Sequence, residues 1–93
     1  MTAIHTLHIL NKSPEHPRAS RCLATVSPED ALLLTGNGVL LLSTQKKPVT
    51  HKVFVLSPDV DARGLGGMTG NAEAVGFAEM VSLSLQAQRV ISW

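Results

Sequence analysis

A chain of 93 residues, 44% hydrophobic and only 16% charged, has room for one small domain and carries more aliphatic surface than so small a body hides easily. The net charge of +1, with Lys46-Lys47 standing together and Arg18 and Arg21 apart, excludes a protein that grips a nucleic-acid backbone unaided. One cysteine excludes an internal disulfide and a multi-cysteine metal site and suits a reducing cytoplasm, and no apolar run approaches the roughly 20 residues of a membrane span.

Met1 to Leu10 lacks the charged start and long apolar core of a signal peptide. Ile4–Leu10 is apolar and β-prone and predicts a first strand, closed by Asn11-Lys12-Ser13-Pro14. Pro17 opens a helix where its missing N–H costs nothing. Ala19, Cys22, Leu23 and Val26 then fall at i, i+3, i+4 and i+7, one apolar stripe, before Ser27-Pro28 stops it. Ala31–Leu34 is an unbroken apolar run, as expected of a strand covered on both faces.

Gly36-Asn37-Gly38 and Val39–Leu42 divide the local signal. Asn-Gly between apolar runs is a hairpin cue, but neither run alternates, so a strand, a glycine turn and a short helix is the preferred reading. Lys52–Leu56 predicts the next strand. Ser57-Pro58-Asp59 is a helix start, with Ser57 as the capping hydroxyl, and Gly64 suits its left-handed close. Leu65–Asn71 holds Gly66, Gly67 and Gly70 and predicts a loop. Ala72–Val75 suits a short strand. Phe77–Gln88, with Phe77, Met80, Val81 and Leu85 at helical spacing, predicts the final helix, and Val90–Trp93 an apolar tail or small edge strand. The order βαβαβαβα implies an α/β domain over residues 1–93, a small, mostly parallel sheet flanked by helices.

Four collinear segments carry a family resemblance. Leu7-His8-Ile9-Leu10-Asn11-Lys12-Ser13-Pro14, Asp30–Leu34 with Asn37-Gly38-Val39, Lys52–Leu56 with Asp59–Gly64, and Phe77–Trp93 together resemble the TusB/DsrH family. The resemblance implies a fold of the DsrE/DsrF/DsrH type and a structural subunit that assembles with TusC-like and TusD-like partners in a heterohexamer of two trimers. That complex is a cytoplasmic sulfur relay. Persulfide sulfur held on a cysteine of the TusD-type subunit passes through a small carrier protein toward 2-thiolation of the tRNA wobble uridine. DsrH relatives serve a related sulfur-trafficking route. The chain departs from the family pattern at Gly76, where many relatives carry an acid, and in its Gly-rich 66–71 stretch.

Cys22 is the one residue able to hold sulfane sulfur. Some DsrH-type relatives place a cysteine before a leucine in this segment, as here in Arg21-Cys22-Leu23, and Arg18 lies one turn away with a positive charge. Its place on the apolar stripe, deep inside the helix, is that of a small core hydrophobe. His8 reads as a hydrogen-bonded structural histidine. His5, three residues away on the same strand, points to the other face and cannot chelate with it. No metal site or cofactor is expected. Gly64-Leu65-Gly66-Gly67 lacks the Lys-Ser/Thr of a phosphate loop, Ser57 with Asp59 or His51 makes no nucleophilic triad, and Asp59 with Arg63 makes an i, i+4 surface pair.

Val39, Leu40 and Leu42, four successive apolar residues with Leu41 that cannot all face inward, form a candidate interface. Trp93 either tucks into its own domain or anchors a subunit contact. The leading reading is a structural subunit whose chemistry lies in a partner, without direct nucleic-acid or membrane contact. The alternatives are a sulfur carrier using Cys22 and a small α/β ligand-binding module working at the strand ends near Asn11, Gly36-Asn37-Gly38 and Ser57.

Overall fold

The computed structural model describes residues 4–93, and five strands form its centre. They are β1 (Ile4–Leu10), β2 (Ala31–Leu34), β3 (Val53–Leu56), β4 (Glu73–Val75) and β5 (Ala87–Ser92). Their spatial order is β4-β3-β2-β1-β5, and every neighbouring pair runs parallel. Three α-helices connect them, α1 (Pro17–Thr25), α2 (Ser57–Ala62) and α3 (Phe77–Gln86), together with 3-10 segments at Gly36–Ser43 and Gly66–Met68.

The first three crossovers step the chain one way across the sheet, and the last carries it back past β1. Crossovers of one hand therefore lay α1, the long 3-10 segment and α2 on one face, and α3 alone on the other. The two apolar clusters follow that division. Leu10, Cys22, Leu32, Leu34, Val39, Val55 and Val60 pack on the first face, and Ile4, Leu7, Ala31, Leu33 and Leu83 on the second. The β1–β2 register sets Leu7 beside Ala31 and Leu10 beside Leu34. A one-residue slip would exchange the two faces, so burial on both sides locks the pairing.

The expected βα turn after β2 is present as a 3-10 helix. The hairpin cue at Asn37-Gly38 is overridden because β2 and β3 pair in parallel, which no two-residue turn can join. Gly36 is left-handed at φ +51°, and Gly38 lies against the end of β1, where an added Cβ would overlap the Leu10 carbonyl oxygen and stand 2.9 Å from its carbon.

Three local readings are corrected. Val39 is fully buried in the first cluster, and Leu41 nearly so, because the tighter 3-10 turn aims both at the sheet; only Leu40 and Leu42 are half-buried. Ser57 is the first residue of α2 and makes no capping bond. The nearby acid acts across space instead: Asp59 Oδ2 accepts the Gly36 N–H at 2.7 Å, while Arg63 reaches the Asp59 carbonyl at 3.1 Å and Asn37 Oδ1 at 3.0 Å. The C-terminal tail is a six-residue strand beginning at Ala87. Gln88 and Arg89 hide it in the sequence, since their side chains are exposed on this edge strand.

The last helix also faces differently from its sequence stripe. Leu83 is buried and Met80 half-buried against the sheet, whereas Phe77, Val81 and Leu85 are 60%, 55% and 81% exposed. Gly76 stands at the N-cap of the helix, and its N–H donates to Glu79 Oε1 at 3.0 Å.

Candidate functional site

Three residues from distant parts of the chain meet on the α1 face of β1. His8 is buried in the middle of the strand, Asp30 is buried just before β2, and Trp93 follows β5. The Trp93 indole Nε1–H donates to His8 Nδ1 at 3.0 Å, and His8 Nε2 stands 2.9 Å from Asp30 Oδ2. Indole is a donor only, so His8 Nδ1 must accept, and the ring proton sits on Nε2 pointing at the carboxylate. The two rings stack at 6.0 Å with 20° between planes. The backbone finishes the clasp, as Trp93 N–H donates to the Ile9 carbonyl at 2.8 Å and Lys12 Nζ to the Trp93 carbonyl at 2.9 Å.

This arrangement occupies the place where β1 lies between β2 and β5, the point at which the strand order reverses. Open α/β sheets commonly bind ligands at the carboxyl ends of such strands. Here Trp93 packs against the core on that side and Lys12 covers the strand ends.

Burial alone would raise the Asp30 carboxyl, but hydrogen bonds from Ser27 and His8 outweigh it and hold the group below its ordinary 3.8. The Ser27 N–H donates to Oδ2 at 3.0 Å, and the Thr50 hydroxyl donates to the Asp30 carbonyl. Among the described residues Oδ1 has no hydrogen-bond partner; the exposed His5 reaches to 3.7 Å and bonds instead to Thr6 Oγ1 at 2.9 Å. The two histidines therefore approach the same carboxylate from either side, which strand alternation did not anticipate.

A carboxyl depressed in the folded state stabilises the fold above its unfolded value, and that contribution is lost as pH falls through the folded value. Urea midpoints should hold steady near neutrality and drop as pH falls through about 4 and below. Asp30→Asn should flatten this slope; an unchanged slope would assign it to other carboxyls.

Cys22 is fully buried among Leu10, Ala19 and Val26, and burial pushes its thiol up to about 12. Arg18 points into solvent, where it does not offset that burial. A persulfide carrier needs an accessible thiolate, and this environment opposes both requirements. Iodoacetamide should modify native Cys22 only through local opening, at least about a hundredfold more slowly than in denaturant. Rapid labelling of the folded chain would overturn that expectation.

The candidate interface residues divide. Val39 presents nothing outward, Leu40 and Leu42 show part of their surface, and Trp93 is held by His8 with one side accessible. The broadest exposed apolar surface is elsewhere, on α3. Phe77, Val81 and Leu85 lie at i, i+4 and i+8 along it, and Val90, the register partner of Leu7, adds to the same face of the sheet. Helical spacing displayed the stripe in the sequence but not which way it turns. Among the described residues no helix is long and apolar enough to cross a membrane.

The family model described as DsrH like protein matches residues 12–90. Protein TusB of Yersinia enterocolitica is 32% identical over an alignment covering 94% of this chain and 99% of that protein, and Protein TusB of Yersinia pseudotuberculosis is 31% identical over the same shares. The solution NMR structure of a Thermotoga maritima protein shares the fold, with a TM-score of 0.66 and 22% identity over 84% of this chain and 88% of that one. Sequence match over nearly the whole length and a common parallel sheet agree: this chain belongs to the TusB/DsrH family.

Proposed function

We propose that the chain serves the sulfur relay of tRNA thiolation as a structural subunit, in the cytoplasm, joined to TusC-like and TusD-like partners in a heterohexamer. In this reading the persulfide travels on a partner's cysteine toward a carrier protein and the wobble uridine, and this chain supplies surface. The observation that carries it is the uncharged stripe of Phe77, Val81 and Leu85 on α3, exposed on a body with few charges. A stripe of this kind is costly in water and is the usual mark of a protein contact. The buried thiol of Cys22 supports the assignment of the chemistry to a partner.

Co-expression with TusC-like and TusD-like chains tests the proposal. The wild-type chain should co-purify with them. Val81→Asp with Leu85→Asp should leave the isolated chain folded, since both side chains are already solvated, and should reduce recovery in the complex at least tenfold. Leu42→Asp should have the smaller effect. A chain that purifies as a stable monomer and never binds the partners would remove the reading. In the assembled complex, Cys22→Ser should leave sulfur transfer unchanged.

A further inference from the structure

One cavity lies apart from the His8–Trp93 clasp and from the α3 stripe. It is a half-open recess of about 580 Å³ on the face of the sheet that carries α1, over β2 and β3, within the roughly 300–1,000 Å³ of small-molecule sites. Its origin is topological. The crossover from β2 to β3 is a 3-10 segment followed by an irregular loop, and α2 has only six residues. No full α-helix covers this part of a parallel sheet, which ordinarily needs one. Val53 is left half-covered as an apolar floor above the buried Leu34, with Leu42 and Met68 on the walls.

The rim has one sign of charge. Lys46, Lys47 and His51 line it, and no Asp or Glu is among its lining residues. Lys46 makes only a 3.4 Å contact to the Pro14 carbonyl. Lys47 and His51 have no hydrogen bond or ion pair among the described residues. Thr44 and Asn71 add neutral polar groups beside them. A largely apolar recess of this size beneath a cationic lip that has no acidic residue in its lining is complementary to a molecule with an oily body and an anionic head.

We infer that this cavity binds a small amphipathic anion, its apolar body over Leu34 and Val53 and its acidic group between Lys46, Lys47 and His51. The inference is independent of the proposed sulfur-relay role. An acidic segment of a partner protein would exploit the same charge, but a half-open recess of this size falls in the range of small-molecule sites and suits a compact ligand.

The test is an NMR titration of the full chain with decanoate, and with decanol as its uncharged counterpart. Decanoate should produce saturable shifts at the amides of residues 44–51 and 68–72 and leave α3 unmoved. It should bind at least tenfold more tightly than decanol. Lys46→Glu with Lys47→Glu, both at exposed positions, should weaken decanoate at least tenfold and leave decanol unaffected. Met68→Asp, on the opposite wall, should weaken both. Equal affinity for the two probes, shifts confined to α3, or insensitivity to the lysine variants would overturn the inference. So would a cavity that ignores decanoate and is protected only when partner chains are added.

Discussion

Gly38→Ala is expected to destabilise the fold by about 3 kcal/mol or more, the largest loss from any glycine-to-alanine change among the described residues. The reason is contact with backbone, which cannot rotate out of the way as a side chain can. The new Cβ would overlap the Leu10 carbonyl oxygen and stand 3.4 Å from Asn11 Cα. Relief would require the 3-10 segment to lift from the end of β1. The segment is also tied there by the Thr35 N–H to Leu10 carbonyl bond at 3.0 Å and the Gly38 N–H to Thr35 carbonyl bond at 2.8 Å. Lifting it would withdraw Val39 and Leu41 from the core. Gly66→Ala is the control, since nothing lies within 4 Å of a Cβ there. Denaturant titration of both variants checks the prediction. A Gly38→Ala loss below about 1 kcal/mol would mean that the turn does not press on β1 as described.

The second large effect belongs to His8. His8→Ala should cost about 3 kcal/mol, because it leaves a buried carboxylate with only the Ser27 N–H and deprives the indole N–H of its acceptor. Trp93→Phe separates the two parts of the clasp. It retains an aromatic ring beside His8 but deletes the N–H and part of the indole's packing surface, for about 1–2 kcal/mol. Trp93→Ala removes the ring as well and should approach about 3 kcal/mol. A double-mutant cycle between His8 and Trp93 should show coupling of about 1 kcal/mol. Additive losses would show that the two residues act separately. Such losses are large beside the total stability of roughly 5–10 kcal/mol expected of a domain this size.

The two effects have different legibility. The need for glycine near position 38 was visible as a turn, but the turn cue pointed as easily to a hairpin. The parallel pairing of β2 with β3 resolves it, and pairing is a long-range property. His8 reads as a hydrogen-bonded histidine, and both ring nitrogens have partners. Its partners stand 22 and 85 residues away, beyond any local window. A terminal Trp reads equally as an intradomain tuck or a subunit anchor, and the Trp93 indole is turned to His8. Ser57 resembled a cap because Ser-Pro-Asp is a sound local start, yet the carboxylate of Asp59 found a distant amide instead.

The α/β class and most element positions follow from the residues alone, because burial on both faces writes continuous aliphatic runs into strands and helical stripes into their covers. The likeness to TusB/DsrH proteins was equally legible, carried by four short segments in order. Facing was not. The stripe of Phe77, Val81 and Leu85 has the same period whether it meets the sheet or the solvent, and the return of the chain past β1 turns it outward. Periodicity is a property of neighbours along the chain, whereas direction, the meeting of His8 with Asp30 and Trp93, and the open chamber beneath Lys46 and Lys47 arise from how distant segments are stacked.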